Sequence, residues 1–324
     1  MTMNPSSEAL HWRAMRREDA RPLAAFERDC AVVDGASRVL DEAAWARRLS
    51  DGPYIQENSV LVTDPEGAIA ARGWIFYQDE TYEVQGFVEG RVHPHWRKRG
   101  LGTALLRWLE ERALENLDRK AEGRKRILRI LYYDRKDDAI DLFRRAGYRF
   151  QFAEVEMRWK TPPSATEYVN PEGYRIVPYD PNEASSLYQA YRLAFRTRTD
   201  QLQDEDAWTH HFADPADLEF AVALSVLAIK LDQPVGYAVV HRYEREDGTE
   251  GDEYWIAQMG VAPDHRRKGL ATAMLTDVMR KVQACGAEEL YLSVNVNNPG
   301  ARAAYEAVGF REVKTMTLMR KELD

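Results

Sequence analysis

Two stretches of the chain put basic residues directly ahead of a glycine and then run into an apolar helical pattern: PDHRRKGLATAMLTDVM at 263–279 and HPHWRKRGLGTALLRWLEE at 93–111. After Gly269 the residues Ala271, Met274, Leu275, Val278 and Val282 share one helix face, as do Leu101, Ala104, Leu105, Trp108 and Leu109 in the earlier stretch. Each glycine therefore stands where a strand passes into a helix. The first N–H groups of a helix lack intrahelical acceptors and carry the positive end of its dipole, and a residue without a side chain lets an anion approach them. The chemistry expected is phosphate recognition by Arg266, Arg267, Lys268, Gly269, Leu270, Ala271 and Thr272, with a flanking arginine adding charge. In the earlier stretch the same role falls to Arg97, Lys98, Arg99, Gly100, Leu101, Gly102 and Thr103. Nucleoside triphosphates and NAD are disfavoured. Neither stretch follows its last glycine with Lys and then Ser or Thr, and Gly100-Leu101-Gly102 lacks the third glycine of a dinucleotide loop.

The elements that must hold these loops also occur twice. DEAAW ends at Trp45 and DEDAW at Trp208, Gly100 answers Gly269, and RRAGYRF answers EAVGFRE through Gly147 and Gly309, all in the same order. At 324 residues the chain suits two domains. The stretch TPPSATEYVNPEGY at 161–174 reads as the linker, giving domains at 1–164 and 165–324. Each half reads β, α, α, β, β, β, α, β, α, β. Its hairpins, VLVTDPEGAIAARGWIFY and VLAIKLDQPVGYAVVHRY, turn at DPEG and DQPV. The fold class is mixed α/β: a mostly antiparallel, twisted sheet flanked by helices, built twice.

Arg266-x-x-Gly269-x-Ala271 and Arg97-x-x-Gly100-x-Gly102, each preceded by Val-x-Pro (Val261 to Pro263, Val92 to Pro94), resemble the acetyl-CoA pyrophosphate loop of the GNAT superfamily of N-acetyltransferases. NPGARAAYEAVGF, Asn298 to Phe310, resembles that superfamily's second signature, N-x-x-A-x-x-x-Y-x-x-x-G-F. The resemblance covers nearly the whole chain as two tandem domains, an organisation shared with the mycothiol synthases. It implies acetyl-CoA as cosubstrate, with its pantetheine arm along Met259, Gly260 and Val261, its pyrophosphate on the loop, and Asn298 in the cofactor site. It implies the same of Val92 and the first loop if that copy binds too. An amide near Met259 would polarise the thioester carbonyl, and transfer to a neutral amine would be direct, with no metal.

The copies differ where chemistry would occur. Phe143 stands opposite Tyr305 and Lys136 opposite Asn298, and in the family the tyrosine hydroxyl protonates the leaving thiolate, which phenylalanine cannot do. Catalysis is therefore expected in the C-terminal half. Tyr305 also admits a packing role that Phe143 would fill equally. For the base, the resemblance points to a carboxylate where this chain has Trp255. Glu253 shares that face by alternation, so it is the candidate, acting through a water, unless a bulge upsets the count. His210 and His211 on the second helix of that half are the other option, with surface or helix packing as their ordinary role. Glu244, Glu246, Asp247, Glu250 and Asp252 form an acidic loop that would draw in a cationic amine, or simply be solvated.

Composition limits the alternatives. With 44% hydrophobic and 30% charged residues and a net charge of −8, the chain reads as globular and not as a nucleic-acid binder. Cys30 and Cys285 lie in different halves, the start has no secretory apolar core, and the longest apolar run is too short for a bilayer. A cytoplasmic monomer or weak homodimer acting on a small-molecule amine is expected, without nucleic-acid or membrane partners. Two other readings stay open: a non-catalytic acyl-CoA-binding or sensor protein, and a tandem aminoacyl transferase, which two good pyrophosphate loops disfavour.

Overall fold

The computed structural model describes residues 10–34, 39–50, 52–79, 82–133, 137–161, 169–183, 185–197, 202–214, 219–244 and 252–323. It divides into two compact units: Met1–Ala153 with Met316–Asp324, and Glu154–Arg245 with Glu250–Thr315. The acidic loop from Glu246 to Glu250, Lys136 and residues 162–168 of the 161–174 linker lie outside the described residues, as does the side chain of Glu244.

In the first unit, β1 (His11–Arg13), β2 (Ser59–Thr63), β3 (Ile69–Asp79) and β4 (Glu83–Val92) pair antiparallel in that order. Next comes β5 (Lys125–Tyr133), parallel to β4, and then the C-terminal part of β12 (Arg311–Leu323), antiparallel to β5 from Met316. Helices α1 (Ala20–Asp34), α2 (Glu42–Arg48) and α3 (Gly52–Asn58) cover one face, where Leu23, Trp45, Ile55 and Leu61 form a core. Helix α4 (Leu101–Lys120) and α5 (Asp137–Arg145) cover the other, over Val60, Ile75, Leu105, Leu109 and Leu117.

The second unit repeats the scheme. From Glu154 onward, β6 (Arg149–Lys160) pairs antiparallel with β11 (Glu289–Asn295), and β11 runs parallel to β10 (Asp252–Val261). Then follow β9 (Gln233–Glu244), β8 (Val226–Lys230) and β7 (Arg175–Pro178), all antiparallel. Helices α6 (Ser185–Phe195) and α7 (Glu205–Phe212) cover one face over Leu187, Tyr191, Trp208 and Tyr237. Helix α8 (Leu270–Ala284) and α9 (Pro299–Ala307) cover the other over Met274, Leu275, Val278, Leu290 and Leu292.

The repeated D-E-x-A-W has a local cause. Asp41 accepts the Ala44 N–H at 2.7 Å and Asp204 accepts the Ala207 N–H at 2.8 Å, so each aspartate caps a helix whose tryptophan is fully buried one position later. The last strands differ from the sequence expectation, which ends each domain with its own strand. Residues 154–160 complete the second sheet and 316–323 the first, so the compact units do not part at residue 165. Residues 154–160 alternate apolar and polar along their length, a pattern that suits either sheet, whereas 316–323, MTLMRKEL, does not alternate strictly. The second hairpin also turns earlier than DQPV: Leu231 and Asp232 take φ values of 46° and 59°, and Gln233 already pairs with Lys230. Pro234 fits the strand because its fixed φ suits an extended backbone.

Candidate active site

In the second unit the register of β9 with β10 shifts between Ile256 and Gln258, so Ala257 is an extra residue, a β-bulge. Ile256 packs on the α8 core. Ala257 and Gln258 both turn to the α6/α7 side, and Met259 and Val261 return to the α8 core. The parallel pairing with β11 covers only Tyr254–Ile256 against Leu290–Leu292. Beyond it, Met259, Gly260 and Val261 have an edge that no described strand occupies. In the first unit β4 pairs with β3 without a shift, and with β5 only as far as Phe87. Both copies thus open at the strand end, but only β10 is bulged.

Gly260 is held closely. A Cβ there would lie 2.7 Å from the Ala194 Cβ and 3.1 Å from Tyr237 Cε1, so glycine is what lets α6 sit against the strand. Gln258 accepts hydrogen bonds from Trp208 Nε1 at 2.8 Å and from the Tyr237 hydroxyl at 2.5 Å, locking its carbonyl oxygen. None of Gln258, Tyr237 and Trp208 is singled out as a site residue by the sequence motifs. Only the bulge brings the three together.

The two glycine loops share one backbone. Arg97 and Arg266 are extended, Lys98 and Arg267 have φ of 60° and 59°, and Gly100 and Gly269 are left-handed at 85° and 79°. In the second loop the first helical bond runs from Ala273 N–H to Gly269 O at 2.9 Å, so the amides of Leu270, Ala271 and Thr272 precede the helical ladder. A Cβ at Gly269 would meet only Pro171 Cγ at 3.7 Å, so the cradle is open where a side chain would stand and an anionic oxygen fits.

The side-chain charges differ from expectation. Arg266 does not point outward to a ligand: its Nε donates to Val261 O at 2.9 Å and its Nη2 to Ala194 O at 2.9 Å, bracing the loop on β10 and α6. Lys268 donates to Asp264 O at 3.0 Å. Arg267 is exposed and has no partner among the described residues. In the first loop Arg97 donates to Val92 O at 3.0 Å and clasps Asp34 at 2.7 and 3.0 Å, Lys98 pairs with Asp138 at 3.1 Å, and Arg99 lies over the Trp96 ring. All three basic side chains there are engaged.

Tyr305 is buried in α9, 9% exposed, and its hydroxyl has no hydrogen-bond partner among the described residues. Burial pushes its pKa up to about 12, and it lies close enough to Tyr237 to raise that phenol too. A hydroxyl in that state is protonated at neutral pH and so presents a hydrogen-bond and proton donor. Phe143 packs against Tyr132 and Tyr148 in the first unit, where no hydroxyl is called for. Asn298 is the N-cap of α9, accepting the Ala301 N–H at 3.2 Å, so its side chain orients the helix that carries Tyr305.

Glu253 and Trp255 do share a face, and the Trp255 indole donates to the Glu253 carboxylate at 2.8 Å, with Trp255 stacked on Tyr291. Glu253 is only 5% exposed and stands six residues before Met259, about 20 Å along the strand. It is therefore too far from the open edge to act as base there, directly or through one water. His210 is exposed beside Asp214 at 3.6 Å, and the His211 ring packs edge-on against Phe212; both sit on α7 as helix-surface residues. No group of three metal-ligating side chains occurs among the described residues, and none of their helices is long and apolar enough to cross a membrane.

A half-open bulged strand running into a glycine-led helix, with a buried phenol on the same core, is the arrangement to set against proteins of known activity. The Acetyltransferase (GNAT) family matches residues 184–310 and the Acetyltransferase (GNAT) domain residues 56–150, together more than half of the chain. Mycothiol acetyltransferase of Kineococcus radiotolerans is 29% identical over 291 residues, covering 87% of this chain and 86% of its own. A GCN5-related N-acetyltransferase structure from Sphaerobacter thermophilus matches with a TM-score of 0.76 and 25% identity over 99% of this chain and 97% of its own. A tandem GNAT protein from the clavulanic acid biosynthesis pathway matches in fold, with a TM-score of 0.61 and 15% identity over 97% and 98% of the two chains. The chain belongs to the GNAT acetyltransferase family as a tandem member, and is an N-acetyltransferase related to the mycothiol acetyltransferases at low identity. Acetyl-CoA is the donor used by that family.

Proposed function

We propose that the protein transfers the acetyl group of acetyl-CoA to the amine of a small molecule, with the reaction in the second unit. The observation that carries this reading is an asymmetry. Among the described residues only the second copy combines the bulged open edge at Ala257–Val261 with a hydroxyl, Tyr305, that has no hydrogen-bond partner there and is held protonated by burial. The relatives named mycothiol acetyltransferase, which match along most of both chains, support a small-molecule acceptor.

Acetyl-CoA supplies an activated thioester carbonyl; the chain positions it and handles the protons. The free amides of Leu270 to Thr272 and the exposed Arg267 bind the diphosphate. Arg266 holds that loop in register with β10. The unpaired edge of Met259–Val261 aligns the pantetheine amides, and the Met259 N–H donates to the carbonyl oxygen as negative charge builds on it, a contribution of several kcal/mol when preorganised. Tyr305 gives its proton to the departing sulfur. The first unit, with its ion-paired loop, unbulged β4 and Phe143, serves as a partner domain or a non-reacting nucleotide site.

The test is a panel of small amines with acetyl-CoA, reading free CoA with time. Saturable release with at least one amine is expected. Saturable acetyl-CoA binding without turnover across amines, aminoglycosides and amino sugars would replace this reading by that of a sensor.

A further inference from the structure

We infer that Glu154, carried into the second sheet by β6, is the general base that takes the proton from the attacking amine. The assignment rests on the acetyl-transfer reading above. It starts from which residues share a face. Leu290, Leu292 and Val294 of β11 pack on the α8/α9 core, and their cross-strand partners Trp159, Met157 and Val155 join them there. The intervening pairs, Tyr291 with Arg158, Ser293 with Glu156 and Asn295 with Glu154, therefore look to the opposite face. That is also the face to which the bulge turns Ala257 and Gln258. Ser293 is exposed although it pairs with Glu156, one residue past the last position at which β11 pairs with β10. The sheet is thus uncovered here, as the floor of a trough on the side away from α8 and α9.

Position along the strands selects the residue. Counting on from the Ile256–Leu292 pair, and allowing one extra residue on β10 for the bulge at Ala257, brings Met259 level with Val294 and Gly260 level with Asn295, and Asn295 pairs with Glu154. Glu154 therefore lies across the trough at the level of Gly260, one residue past the Met259 amide that receives the thioester carbonyl. Two strand spacings separate paired β10 from β6, roughly 10 Å, and the gap is wider past Ile256 where β10 and β11 part, a distance that the glutamate side chain, the amine on the carbonyl carbon and a bridging water span together.

The other carboxylates facing this trough are occupied or distant. Glu156 is buried and paired with Lys314 at 3.2 Å, Glu289 is held by Arg158 at 3.0 Å, and Glu253 receives the Trp255 indole at the far end of β10. Glu154 has no hydrogen-bond or ion-pair partner among the described residues and is half-buried. Burial raises its pKa, and none of the charges of Glu156, Lys314, Arg158, Glu289 or Glu253 contributes to that shift. A carboxylate made more basic by desolvation, and left without a cation, is suited to accept a proton.

In the step, the amine lone pair forms the C–N bond and the C–S pair leaves on sulfur. One N–H proton passes to the Glu154 carboxylate while the Tyr305 proton passes to sulfur, giving amide and free thiol. Solvent then removes the proton from Glu154 and restores that of Tyr305.

The experiment measures kcat/KM against pH for the fastest amine of the panel, with wild type, Glu154→Gln and Glu253→Gln. In wild type, activity rises with pH through the Glu154 pKa. Glu154→Gln is expected to lose that acidic limb and to fall in kcat by about 10²-fold or more, while its acetyl-CoA Kd stays within about twofold. Glu253→Gln keeps the limb. A merely structural glutamate would shift Tm or KM and leave the limb in place, and that result overturns the assignment alone. An enzyme inert towards every amine overturns it together with the acetyl-transfer reading.

Discussion

Replacing Gly260 by alanine tests how the loop, the strand and α6 are tied together. The new Cβ would sit 2.7 Å from Ala194 Cβ, 3.1 Å from Tyr237 Cε1 and 3.2 Å from Phe195 Cε2. Carbon atoms rest near 3.5 Å, so α6 must retreat by about 0.8 Å, because the nearest atom is fixed to backbone and cannot rotate away. The retreat carries Ala194 O away from Arg266 Nη2, now 2.9 Å distant, and weakens the brace on the loop. Overpacking costs about 1–3 kcal/mol. Loss of a charge-assisted hydrogen bond costs about 1.5–3 kcal/mol. Together they should lower Tm in scanning calorimetry by on the order of 10 °C for a unit of this size. With the brace loosened, the KM for acetyl-CoA should rise by about tenfold, while kcat changes less. A variant whose Tm lies within about 2 °C of wild type and whose KM is unaltered would refute the coupling, since α6 would then have absorbed the methyl without disturbing Arg266.

Tyr305→Phe keeps the buried ring and removes the proton donor, so kcat should fall by about 10²-fold in steady-state assays while the acetyl-CoA Kd from calorimetry stays close to wild type. An unchanged kcat removes Tyr305 from the chemistry. The same phenol makes a stability prediction. Its folded pKa of about 12 lies above the ordinary value of 10, so between those pH values the unfolded chain holds fewer protons than the folded one, and stability falls as pH rises. Denaturant titrations from pH 10 to pH 12 should show that fall, and Tyr305→Phe should reduce its slope by up to about 1.4 kcal/mol per pH unit. Equal slopes would mean the hydroxyl is hydrated in the folded protein.

Much of the architecture is legible in the sequence because its local causes are repeated. The capping aspartate and buried tryptophan of D-E-x-A-W, the glycines of the two loops and the apolar faces behind them each set structure within a few residues. The Tyr305/Phe143 difference is legible for the same reason: a single side chain decides whether a proton donor exists. Three features depend on non-local geometry instead. The bulge at Ala257 leaves no mark in composition, yet it sets which face Gln258 takes. The alternation of residues 154–160 suits either sheet, so which sheet they join is settled only in the fold. The arginine of R-x-x-G reads as a phosphate ligand by charge alone, whereas Arg266 turns back on Val261 and Ala194, because two carbonyl oxygens at the strand and helix ends require a donor. Counting alternation without knowing the sheet's open end likewise favours Glu253, which is the nearest carboxylate in sequence and not in space.

The most direct test of the account is kcat/KM for acetyl-CoA in Gly269→Val. The φ of 79° at that position strains a β-branched residue, and the isopropyl group fills the space in front of the helix-start amides. Losing two charge-assisted hydrogen bonds to the diphosphate predicts a drop of about 10²-fold or more in a variant whose circular dichroism is native. A folded Gly269→Val protein with kcat/KM within threefold of wild type would contradict the claim that this glycine-opened helix start in the second unit receives the donor.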